Sequence, residues 1–90
     1  MNATKALARI RRLAREGRVV ITGYAGRRMV ERSVMPWDLT HALAKARSCK
    51  AQENDRWRVL GPSPDDDELC AAVELQATVI VVTVFWPDEE

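Results

Sequence analysis

No lysine or arginine follows Arg58 in this chain of 90 residues. All 14 cations stand at or before that point, where only Glu16, Glu31, Asp38, Glu53 and Asp55 oppose them. The remainder holds acids alone (Asp65, Asp66, Asp67, Glu68, Glu74, Asp88, Glu89 and Glu90), which brings the formal net charge down to +1. The near-neutral total therefore hides a basic surface and an acidic one. A basic surface attracts phosphate or the acidic face of a protein partner. Unlike patches also suit head-to-tail association of two copies, so a homo-oligomer stays open.

Cysteine is equally scarce. Cys49 and Cys70 show neither a CxxC motif nor metal-ligand spacing, which excludes a disulfide scaffold and a zinc module. Both read as reduced, mostly buried thiols, with a bridge between them as the lesser alternative. His41 is the single histidine and has no partners for a triad or a metal site, so it reads as a surface residue beside Lys45. No cofactor or metal is implied. No apolar run approaches the roughly 20 residues that a membrane helix needs. The N-terminus lacks the apolar centre of a signal peptide, and the expected location is the cytoplasm. Without repeat or linker, residues 1–90 read as one domain.

What is present begins with a helix. Ala3, Ala6, Leu7, Ile10, Leu13 and Ala14 recur at three and four residues, with Asn2 as cap and Gly17 as the left-handed stop. Lys5, Arg9, Arg11, Arg12, Arg15 and Arg18 are expected outside. RNA phosphate, an acidic protein or plain solvent would each suit such a face. Residues 20–34 then read VITGYAGRRMVERSV: a short strand or extended arm that begins at Val19, a Thr22 cap, and a helix that turns Ala25 and Met29 inward. Arg28 and Arg32 are four apart and share a face, spaced to grip one anion. Tyr24 lies one turn earlier, and Glu31 can tie back to Arg27 or Arg28.

Pro36 suits the first turn of a third helix, with Asp38 at its positive end, Leu39, Ala42, Leu43 and Ala46 on the core, and Trp37 as an anchor. From Ser48 the period changes to two. Asn54 and Asp55 read as a turn. Arg56 to Leu60 is a strand with Trp57 and Val59 on one face and both arginines on the other. Residues 61–67 are expected to end it as an exposed acidic loop. Leu69, Ala71, Val73 and Leu75 alternate along the next strand, with Glu74 on the opposite face. The last, from Thr78 to Trp86, is apolar on both faces and belongs inside the sheet. The whole reads as α+β in two layers, N-terminal helices on a C-terminal antiparallel sheet of about four strands.

Thr22, Tyr24, Ala25, Arg28, Met29 and Arg32 form a pattern that resembles the signature of a small bacterial family, domain of unknown function 4258. Members usually show His where Tyr24 stands and Gly where Ser33 stands. The similarity spans residues 20–86. The element order, the stretch IRRLAREGRVVIT, Trp57 on a middle strand and the run VIVVTVF are also similar to RelE-like toxins, the MqsR type above all. That resemblance implies one half of a toxin–antitoxin pair: a metal-independent messenger RNA endoribonuclease, free or ribosome-bound, with a zinc-finger or helix-turn-helix antitoxin as partner.

Attack by a ribose 2′-hydroxyl on phosphorus needs a base, an acid and cations. Arg28, Arg32, Arg56 and Arg58 are candidates to stabilise the phosphorane, with Arg9, Arg12, Arg27 and Arg56 for RNA binding. Tyr24 can donate a proton or stack on a base. Glu74 is the candidate base, or alternatively a carboxylate paired with one of the arginines. A phenol, ordinarily ionising near pH 10, is a poor substitute for histidine as a base. Either the arginines position the reaction, or the chain binds an acidic protein or nucleic acid without cutting. Direct DNA reading ranks lowest, because Ala42, Leu43, Ala44 and Ala46 give the third helix few groups that read base edges.

Overall fold

The computed structural model describes residues 1–89. Helix α1 spans Ala3–Arg15, β1 Val19–Ile21, α2 Gly23–Glu31 and α3 Pro36–Ala44. Strands β2 (Ser48–Ala51), β3 (Arg56–Pro62), β4 (Glu68–Leu75) and β5 (Val79–Phe85) follow. Short 3-10 turns occupy Glu53–Asp55 and Pro87–Glu89. No helix among the described residues is long and apolar enough to cross a membrane.

The helix ends are set by the residues that the sequence marks. Asn2 Oδ1 accepts from Lys5 N at 2.9 Å, and Thr22 Oγ1 accepts from Ala25 N at 3.2 Å. The Asp38 carboxylate accepts from Met35 N at 2.8 Å. Gly17, at φ 75, closes α1: its N–H reaches the Ala14 carbonyl at 3.1 Å and that of Arg18 reaches Leu13 at 2.9 Å. Helix α2 ends in the same motif, Ser33 N to Val30 O at 3.2 Å and Val34 N to Met29 O at 2.8 Å. There the left-handed position is filled by Ser33, at φ 57. Ser33→Gly removes that side-chain penalty and is expected to stabilise the fold by about 0.5–1 kcal/mol in a denaturant titration. Gly26→Ala is expected to add a similar ~0.5–1 kcal/mol. A Cβ there meets only Ile21 Cγ2, at 3.9 Å.

The sheet has five strands in the order β1-β5-β4-β3-β2 and is mixed, which corrects the expectation of about four antiparallel strands. The added strand is β1, parallel to β5. Val79 N donates to Arg18 O at 2.9 Å, and Thr22 gives both its N–H and its hydroxyl to Val81 O, at 3.2 and 2.9 Å. The extended arm thus covers an edge of β5 that would otherwise stay unpaired, and β5 sits inside the sheet as its two apolar faces require.

A second correction concerns β3, which runs through Gly61 and Pro62 instead of stopping at Leu60. Gly61 pairs with Leu69 and Pro62 with Glu68. Pro62 is the last residue of the strand, where a missing donor is tolerated. Gly61 lies directly beneath α3. The acidic loop is correspondingly short, and Ser63 is buried at its root, its N–H bonded to Asp67 O at 2.7 Å.

All three helices pack on one face of the sheet. Ile10, Leu13, Met29, Leu39 and Leu43 meet Val59, Leu69, Val73, Val79, Val81 and Val84 there. Arg11 and Arg9, expected outside, tie α1 down instead: Arg11 Nε donates to Ala46 O at 2.7 Å and Arg9 to the Gln76 carbonyl. His41, expected on the surface, is half-buried and donates from Nδ1 to Pro62 O at 2.9 Å, linking α3 to β3. Trp37, expected as an anchor, is 63% exposed. Cys49 and Cys70 are both free. Cys49 is paired with Val59 and Cys70 with Leu60, adjacent residues whose side chains leave opposite faces of the sheet, so the thiols do not meet.

Candidate nucleic-acid interface

The face of the sheet turned away from the helices holds Arg56, Arg58 and Glu74. Trp57 and Val59 are drawn to the helix side, so alternation sends Arg56, Arg58 and Leu60 the other way. Register then fixes the neighbours. Lys50 of β2 stands opposite Arg58, which stands opposite Ala72 of β4, in turn opposite Thr83 of β5. Arg56 faces Glu74, and Cys70 faces Phe85.

Ala72 is small enough to let the Arg58 side chain lie across β4. Its guanidinium carbon is 5.7 Å from the Phe85 ring centroid, and Nη2 is 3.9 Å from Cys70 Sγ. This layer covers Cys70, which is fully buried on a face otherwise open to water. Beside it, Ser48, Lys50, Arg58, Leu60, Glu68 and Pro87 border a hollow of about 420 Å³. Arg56 and Glu74 are half-buried, and neither takes part in an ion pair among the described residues.

A second cluster lies on α2. Arg28 Nε donates to the Tyr24 hydroxyl at 2.9 Å, with its guanidinium carbon 4.9 Å from the ring centroid. Arg28 also bonds Glu31 Oε2 at 3.1 Å, and Arg32 reaches the same oxygen at 3.9 Å. The anion that the spacing of Arg28 and Arg32 calls for is therefore Glu31. The Tyr24 hydroxyl first, and then the Glu31 charge, hold Arg28 more firmly protonated than an ordinary arginine. Arg32 Nε bonds Glu89 Oε2 at 2.7 Å. Arg27 is exposed and forms no ion pair among the described residues.

On α1, Arg9 and Arg12 border a shallow hollow with Met1, Lys5 and Ala8. Glu16 lies between Arg12 at 4.0 Å and Arg18 at 3.5 Å.

The nine residues expected to carry the function thus form three groups, not one pocket. Arg56, Arg58 and Glu74 come together on the sheet, Tyr24, Arg27, Arg28 and Arg32 on α2, and Arg9 and Arg12 on α1. The layering keeps Arg58 from sharing a cleft with the helix arginines, because a strand that gives Val59 to the helices must turn Arg58 away from them. Lys50, Phe85 and Glu89 were not among the expected residues. Alternation places the first two on a face, but only the register tells which face they share. Among the described residues, no group of three or more His, Cys, Asp or Glu side chains is placed to hold a metal ion. Comparison of the chain with family models, curated proteins and solved structures returns no match.

Proposed function

We propose that this protein is the toxin half of a bacterial toxin–antitoxin pair: an RNA-binding, metal-independent endoribonuclease that acts in the cytoplasm through the open face of its sheet. The observation that carries the reading is that Lys50, Arg56, Arg58, Glu74 and Phe85 share the sheet face turned away from the helices, with Arg56 directly opposite Glu74 and the Arg58 guanidinium over the Phe85 ring. Cations beside an aromatic ring suit a single strand, whose phosphates need charge and whose unstacked bases need a platform. Glu74 takes the proton of a ribose 2′-hydroxyl as its oxygen bonds to phosphorus. Arg56 and Arg58 offset the charge that builds on the phosphorane. The P–O5′ bond breaks, the departing oxygen takes its proton from water, and the hydroxide left behind takes the proton from Glu74, which restores the base. The products are a 2′,3′-cyclic phosphate and a 5′-hydroxyl end. A zinc-finger or helix-turn-helix antitoxin is the cognate partner, and the cations on α1 remain for it or for the ribosome.

End-labelled single-stranded RNA, incubated with the protein alone and with ribosomes, tests this. Fragments ending in cyclic phosphate, unaffected by chelator, are the expected result. A second reading, a degenerate toxin that binds without cutting, is favoured by one observation. The Tyr24 phenol is engaged by Arg28 on another layer and the lone histidine bonds Pro62, so neither of them serves the open face as an acid. Salt-sensitive binding with no fragments in either mixture would establish that reading and end the enzymatic one.

A further inference from the structure

The geometry points to Arg32 as a further phosphate subsite of the RNA path, filled in the free protein by the chain's own Glu89 carboxylate. The inference rests on the open face being the RNA surface and extends that surface round the end of the sheet onto α2. Pro87–Glu89 is one short turn, yet it touches both clusters of cations. On one side Pro87 walls the hollow that holds Lys50 and Arg58. On the other, Glu89 bonds Arg32 at 2.7 Å, and the Trp86 indole N–H donates to the Arg32 carbonyl at 3.3 Å. The Trp86 backbone N–H holds the second Glu89 oxygen at 3.3 Å, so the carboxylate is aimed at the guanidinium. Asp88 stands with Asp67, Glu68, Trp86 and Pro87 around the neighbouring hollow.

A guanidinium accepts a carboxylate and a phosphodiester through the same N–H fork, so either anion can occupy Arg32. The other acid on that guanidinium, Glu31, is loosely held at 3.9 Å. A strand passing Phe85 and Arg58 towards α2 must cross the acidic turn. To gain Arg32 it must displace Glu89, and the turn competes with RNA until it does.

Glu89→Gln keeps the shape and the acceptor for Trp86 but gives up the charge. RNA binding by the full-length variant is expected to tighten about three- to five-fold at low salt, the size of a partly exposed ion pair. The gain is expected to vanish in the double variant with Arg32→Ala. Asp65→Asn makes the same charge change on the loop, away from both hollows, and is expected to give less. Equal gains from Asp65→Asn and Glu89→Gln, or a gain that survives Arg32→Ala, overturn the subsite. So does parental binding that Glu89→Gln leaves unchanged. Failure of every variant to bind RNA, Glu89→Gln included, overturns the reading of the open face instead. Thermal melts of all four proteins keep folding out of the comparison.

Discussion

Replacing Gly61 with alanine is expected to lower the thermal midpoint by more than about 10 °C, and with valine to leave the chain largely unfolded at room temperature. A Cβ at Gly61 would stand 2.1 Å from the carbonyl oxygen of Ala42, 2.8 Å from its carbon and 3.2 Å from its Cα. These are backbone atoms in the last turn of α3 and cannot swing aside. Relief requires α3 to lift from β3, and α3 carries Leu39 and Leu43, both fully buried. Overpacking a core costs about 1–3 kcal/mol when side chains can yield, and more when they cannot. A loss of about 3 kcal/mol is a large share of the roughly 5–15 kcal/mol that holds a domain folded. For a domain of this size, each kilocalorie moves the midpoint by about 4–8 °C. Two controls make the cause specific. Gly23→Ala meets only the flexible end of Arg27, at 3.6 Å, and is expected to be near neutral. Ala42→Gly is expected not to rescue Gly61→Ala, because the clash is with the carbonyl and not the methyl. Melts followed by circular dichroism decide, and a shift under about 2 °C for Gly61→Ala would sink the argument.

Gly61 also shows where the sequence stops being informative. Beside Pro62 it reads as a strand breaker, and nothing nearby indicates otherwise. The reason it is there lies in Ala42, on another element. The caps at Asn2, Thr22 and Asp38 and the stop at Gly17 are legible because each depends on residues within four positions. The alternation of β3 and β4 is legible for the same reason. The pairing of β1 with β5 is not, since its partner enters near the other end of the chain and three residues carry little pattern.

The electrostatics divide in the same way. Arg28 and Glu31 are neighbours on one helix, and their contact can be anticipated. The partners of Arg9, Arg11 and Arg32 are Gln76, Ala46 and Glu89, which only the fold supplies. The segregation of charge along the chain is not a segregation in space. Arg47 bonds Asp66 at 3.0 Å and Glu68 at 3.6 Å, and Arg32 takes Glu89, so acids of the second half are spent on cations of the first. What remains for a polyanion is less than the early surplus implies. The open sheet face matters because Arg56 and Lys50 are not consumed by these pairs.

Glu74→Gln is expected to stop RNA cleavage and leave binding intact, while Arg58→Ala weakens both. An amide has the shape of a carboxylate but cannot take the 2′-hydroxyl proton, and loss of a general base costs about 10²–10⁴ in rate. Glu74 stands opposite Arg56 and forms no ion pair among the described residues, so the substitution breaks none of them. Removing a negative charge beside the phosphate track holds affinity or raises it. In the proposed mechanism Arg58 serves twice, its charge on the phosphorane and its guanidinium, which lies over the Phe85 ring, as part of the stacking platform. Arg58→Ala is therefore expected to lower the rate by about 10²–10³ and affinity by about ten-fold. Lys50→Ala, at the far side of the hollow, is expected to change affinity alone. Each cation removed from the track lowers the slope of log affinity against log salt by about 0.7, the value for a single strand. Single-turnover cleavage and fluorescence anisotropy across a salt series measure both quantities. A Glu74→Gln protein that cuts at the parental rate removes the base from the mechanism. One that neither cuts nor binds shows that Glu74 holds the face together and does no chemistry on it. A parental slope in Arg58→Ala would mean that the strand runs elsewhere, over the cations of α1 and α2.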